Sequence, residues 1–443
     1  MIPGPTKKVI KGLKDKGFEV YLVGGCVRDV ILKRTPKDFD IITSANLRQV
    51  KRAFSRCQIV GKRYPICHVH IDGTVIEVSS FNTCGMDVGW NVTHDTAKIK
   101  CDKADFMRWR NCLRRDFTIN GLMYDPYSKL VYDYLGGLED IKRAKVRTVI
   151  PASVSFQEDC ARILRGIRIA ARLGFRLSKE TASSITALSS SVLKLDKGRL
   201  MMEMNYLLSY GSAEASLRTL WKFGLLDVLL PIQAAYFVRS GFKRRDPGSN
   251  MLLSLFANMD KLLAPDRPCH SSLWVGLLAF HKSLSERPRH PLVIATFCLC
   301  LHNGGDIEKS VKISRTITKR PDTCFEEVQD LCVPDTDTLV REVLELGRCV
   351  RRVLKEMTSE ACVMDAMSKY PRAPFSNLVL ISFPLYSKTR QIFDCVNHVN
   401  SELERFTKRG RDIDYEQLAL GRSQEVRHAF ARVVFDTIYP VRR

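Results

Sequence analysis

The chain has 443 residues, 45% of them apolar and 27% charged, as expected of a globular protein with about two to four domains. Its 25 Gly and 18 Pro exclude a collagenous or largely disordered protein, and no run approaches the roughly 18–20 uncharged apolar residues of a membrane span. Lys and Arg number 70 against 48 Asp and Glu, a net charge of +22; residues 1–200 hold 36 of the bases and only 20 of the acids, so a polyanionic partner is expected on the first half, with a merely self-repelling basic protein as the competing reading.

In chain order, residues 8–16 carry a short helical pattern, and Val20–Val23 reads as a buried strand that stops at Gly24-Gly25. Val27 and Ile31 then recur at helical spacing. Residues 39–42 predict a second strand and 46–54 a helix. Strands at 69–71 and 75–78 flank Asp72-Gly73, a hairpin signal. Residues 82–112 are polar and irregular and predict a loop, and short strands and turns return over 117–133. From about residue 153 the pattern is almost entirely helical, with Pro291–Leu301 as a buried helix and the acidic, turn-rich stretch 304–337 as a hinge or insertion. The expected class is α+β: a head with a small mixed sheet over 1–150, a helical neck over 151–235 and a helical body over 236–443.

Fifteen scattered cysteines without a CxxC pair predict reduced thiols in a reducing intracellular compartment. Met1-Ile-Pro-Gly-Pro resembles neither a secretory signal nor a transit peptide, which leaves nucleus, mitochondrion or plastid and a longer precursor open. His68 and His70 share a strand face next to Cys67, but no further Cys/His pair lies nearby to complete a metal site.

Asp38-Phe39-Asp40 is the sharpest chemical feature. Alternation on a strand puts both carboxylates on one face, where hard oxygens at this spacing suit Mg²⁺. A pair of such ions about 3.5–4 Å apart activates an attacking hydroxyl and stabilises a leaving pyrophosphate. Gly24 and Gly25, lacking Cβ, let the backbone approach a triphosphate, and Arg28 is placed to clamp it. In Arg114-Arg115-Asp116-Phe-Thr-Ile-Asn120, Arg115 is a candidate for a nucleotide phosphate or sugar; Asp116 is preferred as the further acidic residue, with Glu77 as its rival. Ser155-x-x-Glu158 matches a capping box for a helix counted from Asp159. On that helix Ile163, Leu164, Ile167, Ala170 and Ala171 form an apolar face opposite Arg162, Arg165, Arg168 and Arg172. With no carboxylate interleaved, these Arg are expected to need an anion, and Asp159 with Arg162 to form one unit that bonds a base edge.

Leu22-Val-Gly-Gly-Cys-Val-Arg-Asp29, Asp38-Phe-Asp40, Arg114–Asn120, Asp133-x-x-Gly-Gly137 with Asp140, and Glu158-Asp-x-x-Arg162 occur in this order in a sequence that resembles the bacterial-type poly(A) polymerase and CCA-adding tRNA nucleotidyltransferase family over roughly residues 18–230. Beyond about 235 only helicity is shared. The resemblance implies a nucleotidyltransferase palm in which Asp38 and Asp40 hold Mg²⁺ and Asp116 adds a further carboxylate. It implies that Gly25, Arg28 and Arg115 contact the nucleotide, that Asp159 and Arg162 read the base, and that Arg165 and Arg168 support its phosphates. Gly121 and Ile169 depart from the usual residues in ways that bear on packing. The partners implied are an RNA 3′ end (mRNA, tRNA or other) and ATP, with CTP as a further candidate and no membrane. Gly61-Lys-Arg-Tyr-Pro-Ile-Cys-His-Val69 resembles the poly(A) branch, so adenosine addition from ATP is favoured over CCA addition. An RNA-binding protein without catalysis is the third reading. Basic clusters at Lys243-Arg-Arg245, Arg351-Arg352 and Lys408-Arg-Gly-Arg411 are candidate phosphate contacts, as far as a solvated surface allows.

Overall fold

Val20–Val23 (β1) is buried at all four positions, which suits only a strand covered on both faces. It sits between β2 (Asp40–Thr43) and β6 (Met123–Asp125), antiparallel to both. The computed structural model describes residues 2–61, 65–81, 102–329, 332–396 and 412–440. With β3 (Cys57–Val60), β4 (Ile66–Ile71), β5 (Thr74–Ser80) and β7 (Leu130–Tyr132), these strands form a sheet in the order β3-β4-β5-β2-β1-β6-β7. Only the β2–β5 pair is parallel, so the sheet is mixed. The β4–β5 hairpin turns at Asp72 and Gly73, both with positive φ (50° and 74°), as a two-residue turn of the favoured hand requires.

Helices α1 (Gly4–Lys14), α2 (Gly25–Ile31) and α3 (Leu47–Ala53) accompany the sheet, α3 opening on a reciprocal Asn46–Gln49 capping box. The expected loop over 82–112 is corrected in its last part: Lys103–Cys112 is a helix (α4), while 82–101 lie outside the described residues. The polar sequence of α4 misleads because its central cation is buried. Arg108 lies over the rings of Tyr21 and Tyr132 at 5.6 and 4.6 Å and donates to the hydroxyls of Tyr21 (2.8 Å) and Tyr134 (3.0 Å).

Next come α5 (Gly137–Lys142), α6 (Ala152–Glu158) and α7 (Ala161–Leu173). The capping box expected at Ser155 is overturned. Ser155 is inside α6, the chain extends at Asp159 (φ −148°, ψ 98°), and the Asp159 carboxylate accepts the amide of Ala161 at 3.1 Å to open α7. A short parallel pair, β8 (Lys145–Val146) with β9 (Arg176–Leu177), has no counterpart in the sequence reading.

The chain divides into two units, Met1–Arg162 with Gly174–Ser184, and Ile163–Leu173 with Ile185–Arg443. The second is helical: α8 (Lys179–Ala187) enters it, followed by α9 (Lys197–Leu208), α10 (Ala213–Lys222), α11 (Leu226–Leu229), α12 (Pro231–Arg239), α13 (Met251–Leu262), α14 (Ser271–Glu286), α15 (Pro291–His302), α16 (Ile307–Ser314), α17 (Thr336–Glu356), α18 (Glu360–Ser368), α19 (Phe383–Phe393), α20 (Tyr415–Leu420) and α21 (Ser423–Ile438). Four fully buried rings, Phe280, Phe297, Phe393 and Phe430, mark its core, with neighbouring centroids 5.3 to 6.3 Å apart. The stretch 304–337 is not simply turns, since Asp306 caps α16 within it. Among the described residues no helix is long and apolar enough to cross a membrane, and the described cysteines are unbridged.

Candidate active site

The site is built where β1 ends. Gly24 has φ 77° and ψ −138°, a conformation side chains forbid. A Cβ added there would lie 3.6 Å from Arg115 Nη1 and 3.7 Å from Asp40 Oδ2. Both are ordinary contact distances, so it is the backbone conformation rather than crowding that calls for glycine, and the two opposite charges flank the turn. Asp40 is placed by register: it is the first residue of β2, paired with Val23.

The parallel pairing of Ile41 with Val78 sets Glu77 beside Asp40, away from the buried Ile41 and Val78. Asp38 precedes the strand and is exposed, while Phe39 is buried. Desolvation, helped by the charges of Glu77 and Asp38 and opposed by that of Arg115, pushes the Asp40 carboxyl up to about 6. Glu77, the rival third carboxylate, is thus the one whose charge joins that of Asp38 at Asp40; it also lies 3.7 Å from His68. Among the described residues no group of three His, Cys, Asp or Glu side chains is gathered tightly enough to hold a metal ion.

Asp116 has a different setting. It is 8% exposed, and its Oδ1 accepts the amide of Phe117 (2.8 Å) and Nδ2 of Asn120 (3.0 Å). Asn120 Oδ1 in turn accepts from Arg28 Nη1 at 2.6 Å. The other Arg28 nitrogens, Nε and Nη2, donate to Asp29 Oδ1 at 2.9 and 2.7 Å. The expected phosphate clamp is thus a buried guanidinium, 6% exposed, that links Asp29, Asn120 and Asp116. Asn120 and Asp29 stood in the sequence motifs without a role; only their partners in space supply one.

The Asp133 motif is scaffolding for this segment. Asp133 accepts the amides of Gly137 and Leu138 at 2.9 and 2.8 Å, and Asp140 accepts Thr118 Oγ1 at 2.6 Å and Arg147 Nε at 2.9 Å. Any Cβ on Gly137 would run into the Thr118 carbonyl, so the glycine lets α5 pack on the segment that carries Asn120.

Residues 20–147 match the model of the poly A polymerase head domain, and residues 174–237 that of the probable RNA and SrmB-binding site of polymerase A. Over its N-terminal half the chain is similar to poly(A) polymerases and CCA-adding enzymes. It is 36% identical to poly(A) polymerase I of Escherichia coli O157:H7 over 241 residues, 53% of this chain and 51% of that protein. It is 34% identical to the CCA-adding enzyme of Bacillus pumilus over 221 residues, 50% of this chain and 54% of that one. The solved Bacillus stearothermophilus CCA-adding enzyme in complex with CTP aligns over 91% of this chain and 95% of its own at 22% identity, with a TM-score of 0.49. The chain spans about half the length of the curated relatives it matches.

Asp159 and Arg162, expected to pair, are turned to other partners. Arg162 Nη1 donates to Glu158 Oε2 (3.0 Å), Ser155 Oγ (2.9 Å) and the Ser155 carbonyl (3.3 Å). Arg165 and Arg168 belong to the second unit. There Arg168 lies 4.0 Å from the buried Glu203, which also pairs with Arg199 at 3.0 Å, and 5.1 Å from the Tyr206 ring. The expectation that the Arg ridge needs an external anion is corrected for Arg162 and Arg168, to which Glu158 and Glu203 supply charge from outside the α7 repeat. Of the basic clusters, Arg244 pairs with Asp227, Arg352 with Glu286 and Glu356, and Arg351 with Asp394. Residues 62–64 and 408–411 lie outside the described residues.

Proposed function

We propose that this chain transfers adenosine nucleotides from ATP to RNA 3′ ends, as a poly(A) polymerase-like nucleotidyltransferase. One observation carries the reading: beside a glycine whose backbone conformation side chains disfavour, the half-buried carboxylate of Asp40, crowded by Asp38 and Glu77, faces the guanidinium of Arg115. The repulsion that Glu77 and Asp38 exert at Asp40 is of the kind a divalent cation would relieve, although the described side chains do not gather into a set of three ligands. Asp38 and Asp40 would hold Mg²⁺, and when bound it supplies positive charge at the reacting phosphate and favours deprotonation of the attacking hydroxyl.

The protein's own share is positioning. The RNA 3′ oxygen bonds to the α-phosphorus of ATP as the bond to pyrophosphate breaks, and little covalent work falls to side chains. Gly24 and Gly25 leave room for the triphosphate, and Arg115 faces it with a positive charge. Arg28 acts through Asn120, fixing Asp116. Asp159 and Arg162 are proposed for the base edge, with Glu158 and Ser155 holding the guanidinium in place. Arg165 and Arg168 are proposed as phosphate partners, and the match of residues 174–237 supports RNA contact in that part of the chain.

The test is incorporation of labelled ATP into an unstructured RNA with Mg²⁺ present. Asp38→Ala and Asp40→Ala are expected to abolish it with the fold intact; retained incorporation in either overturns the assignment. CCA addition is the second reading, favoured by the likeness to the Bacillus pumilus enzyme. A tRNA lacking its CCA, given ATP alone or ATP with CTP, separates the two, and a catalytically inactive RNA-binding protein would incorporate neither nucleotide.

A further inference from the structure

The second unit contains a cavity of about 510 Å³; part of its wall lies within residues 174–237, the segment similar to a probable RNA-binding site, but no ligand is assigned to the cavity itself. Its wall includes Asp227, fully buried, whose Oδ2 accepts from Arg244 Nη2 at 2.6 Å. Arg244 Nη1 donates to the Trp221 carbonyl at 2.6 Å, and the guanidinium lies 4.1 Å from the Trp221 ring centroid. The cation is therefore fixed along its edge and covered on one face. Its side chain nevertheless keeps 41% of its surface exposed, and Arg244 is among the residues that line the cavity.

Two polar atoms at this cavity have no hydrogen-bond partner among the described residues: Asp227 Oδ1 and the Tyr370 hydroxyl. Buried polar atoms normally find partners, so both call for an occupant with hydrogen-bonding edges. Lys222 and the exposed Arg372 add positive charge to the lining.

Each feature narrows the occupant. A guanidinium held flat, with one open face, is a platform for a planar π-system. An acceptor and a hydroxyl without partners match the donor and acceptor edge of a base. The two further cations match phosphates on either side of it. The volume lies within the range of small-ligand sites and holds one nucleoside.

We infer that this cavity receives a single unpaired nucleotide of the RNA, its base stacked on Arg244 and its edge met by Asp227 and Tyr370. The inference takes from the proposed function only that RNA is bound; it does not need catalysis.

The experiment is direct binding of a fluorescently labelled single-stranded oligoadenylate to the full chain, read by anisotropy. Arg244→Lys keeps the charge beside Asp227 and removes the planar face; it is expected to weaken binding about tenfold. Tyr370→Phe removes only the hydroxyl and is expected to weaken it about threefold. Both should melt close to the parent protein. If Arg244→Lys loses its melting transition, Tyr370→Phe and Arg372→Gln decide in its place. Unchanged affinity in the folded variants overturns the inference and leaves the cavity to ordered water. AMP alone binding as tightly as the oligonucleotide, with the same loss in the variants, overturns the RNA assignment in favour of a free nucleotide. Binding is read without Mg²⁺ or ATP, where no nucleotide transfer takes place, so a failure of catalysis and a failure of this site are read separately.

Discussion

The two units handle charge in opposite ways. In the first, Asp40 is half-buried next to Glu77 and Asp38, and its carboxyl is held at about 6 because nearby opposite charge does not offset desolvation and crowding. In the second, charges are mostly matched across helices: Arg287 and Arg289 of one turn meet Glu342 and Glu345 of α17, and Arg352 meets Glu286 and Glu356. Matched charge there supports a scaffold, whereas unmatched charge at Asp40 is tolerated only because the sheet and the Gly24 turn over-determine its position. Uncompensated carboxylates are therefore a sharper marker of chemistry than the overall basic balance that first suggested a polyanion.

The largest effect that can break this contrast is at Asp40. Asp40→Asn is expected to lower nucleotide incorporation by about a thousandfold, on the scale of several kcal/mol of lost phosphate charge stabilisation. It should leave the melting temperature equal or raised, since a crowded, half-buried charge is removed; a large drop in melting temperature would make Asp40 a structural residue. Gly24→Ala comes next. It forces a side chain into positive φ between Arg115 and Asp40 and is expected to cost about 1–3 kcal/mol in chemical unfolding, with a clear loss of activity.

Asn120→Ala cuts the link from Arg28 to Asp116 and leaves both partners short of a hydrogen bond. A stability loss of about 1–3 kcal/mol is expected, with a raised KM for ATP. In the second unit the effects should be smaller. Arg352→Ala removes an exposed helix-to-helix pair, and about 0.5 kcal/mol or less is expected by denaturant titration; a loss as large as at Asn120 would erase the contrast.

A pH series sharpens the same comparison. His270 caps α14 through Nδ1, which accepts the Ser272 amide at 3.1 Å, and burial followed by the Lys388 charge pulls its pKa down to about 4. The unfolded chain protonates this residue near 6.5, so the contribution of His270 is full above that pH and is lost as pH falls towards 4. Asp260, pushed up to about 6 by burial, acts in the opposite sense over an overlapping window. The difference in stability between the parent and His270→Asn isolates the histidine, and it should shrink as the pH is lowered.

Much of the sheet was legible because it is written in local pattern. Val20–Val23 is apolar throughout and Asp72-Gly73 names its own turn, whereas the spacing of Asp38 and Asp40 predicts one strand face and the strand begins only at Asp40, leaving Asp38 exposed before it. Features that depend on distant partners were not legible. Arg108 reads as a loop residue until Tyr21 and Tyr132 are brought to it. Arg28 reads as a clamp until Asn120, 92 residues away, takes its nitrogen. Ser155 looks like a helix cap because the motif is local, yet α6 already occupies it and Asp159 does the capping. Glu77 gains its place only from the parallel pairing of β2 with β5, which nothing in either strand specifies.

The Gly24 turn has an evolutionary corollary. A position that admits no side chain offers natural selection nothing to vary, so preference among nucleoside triphosphates cannot be retuned there. On the proposed function, any drift in the letter added would be written elsewhere, and the extended break at Asp159, where a carboxylate opens a helix a few residues from a tethered arginine, is the proposed place for it.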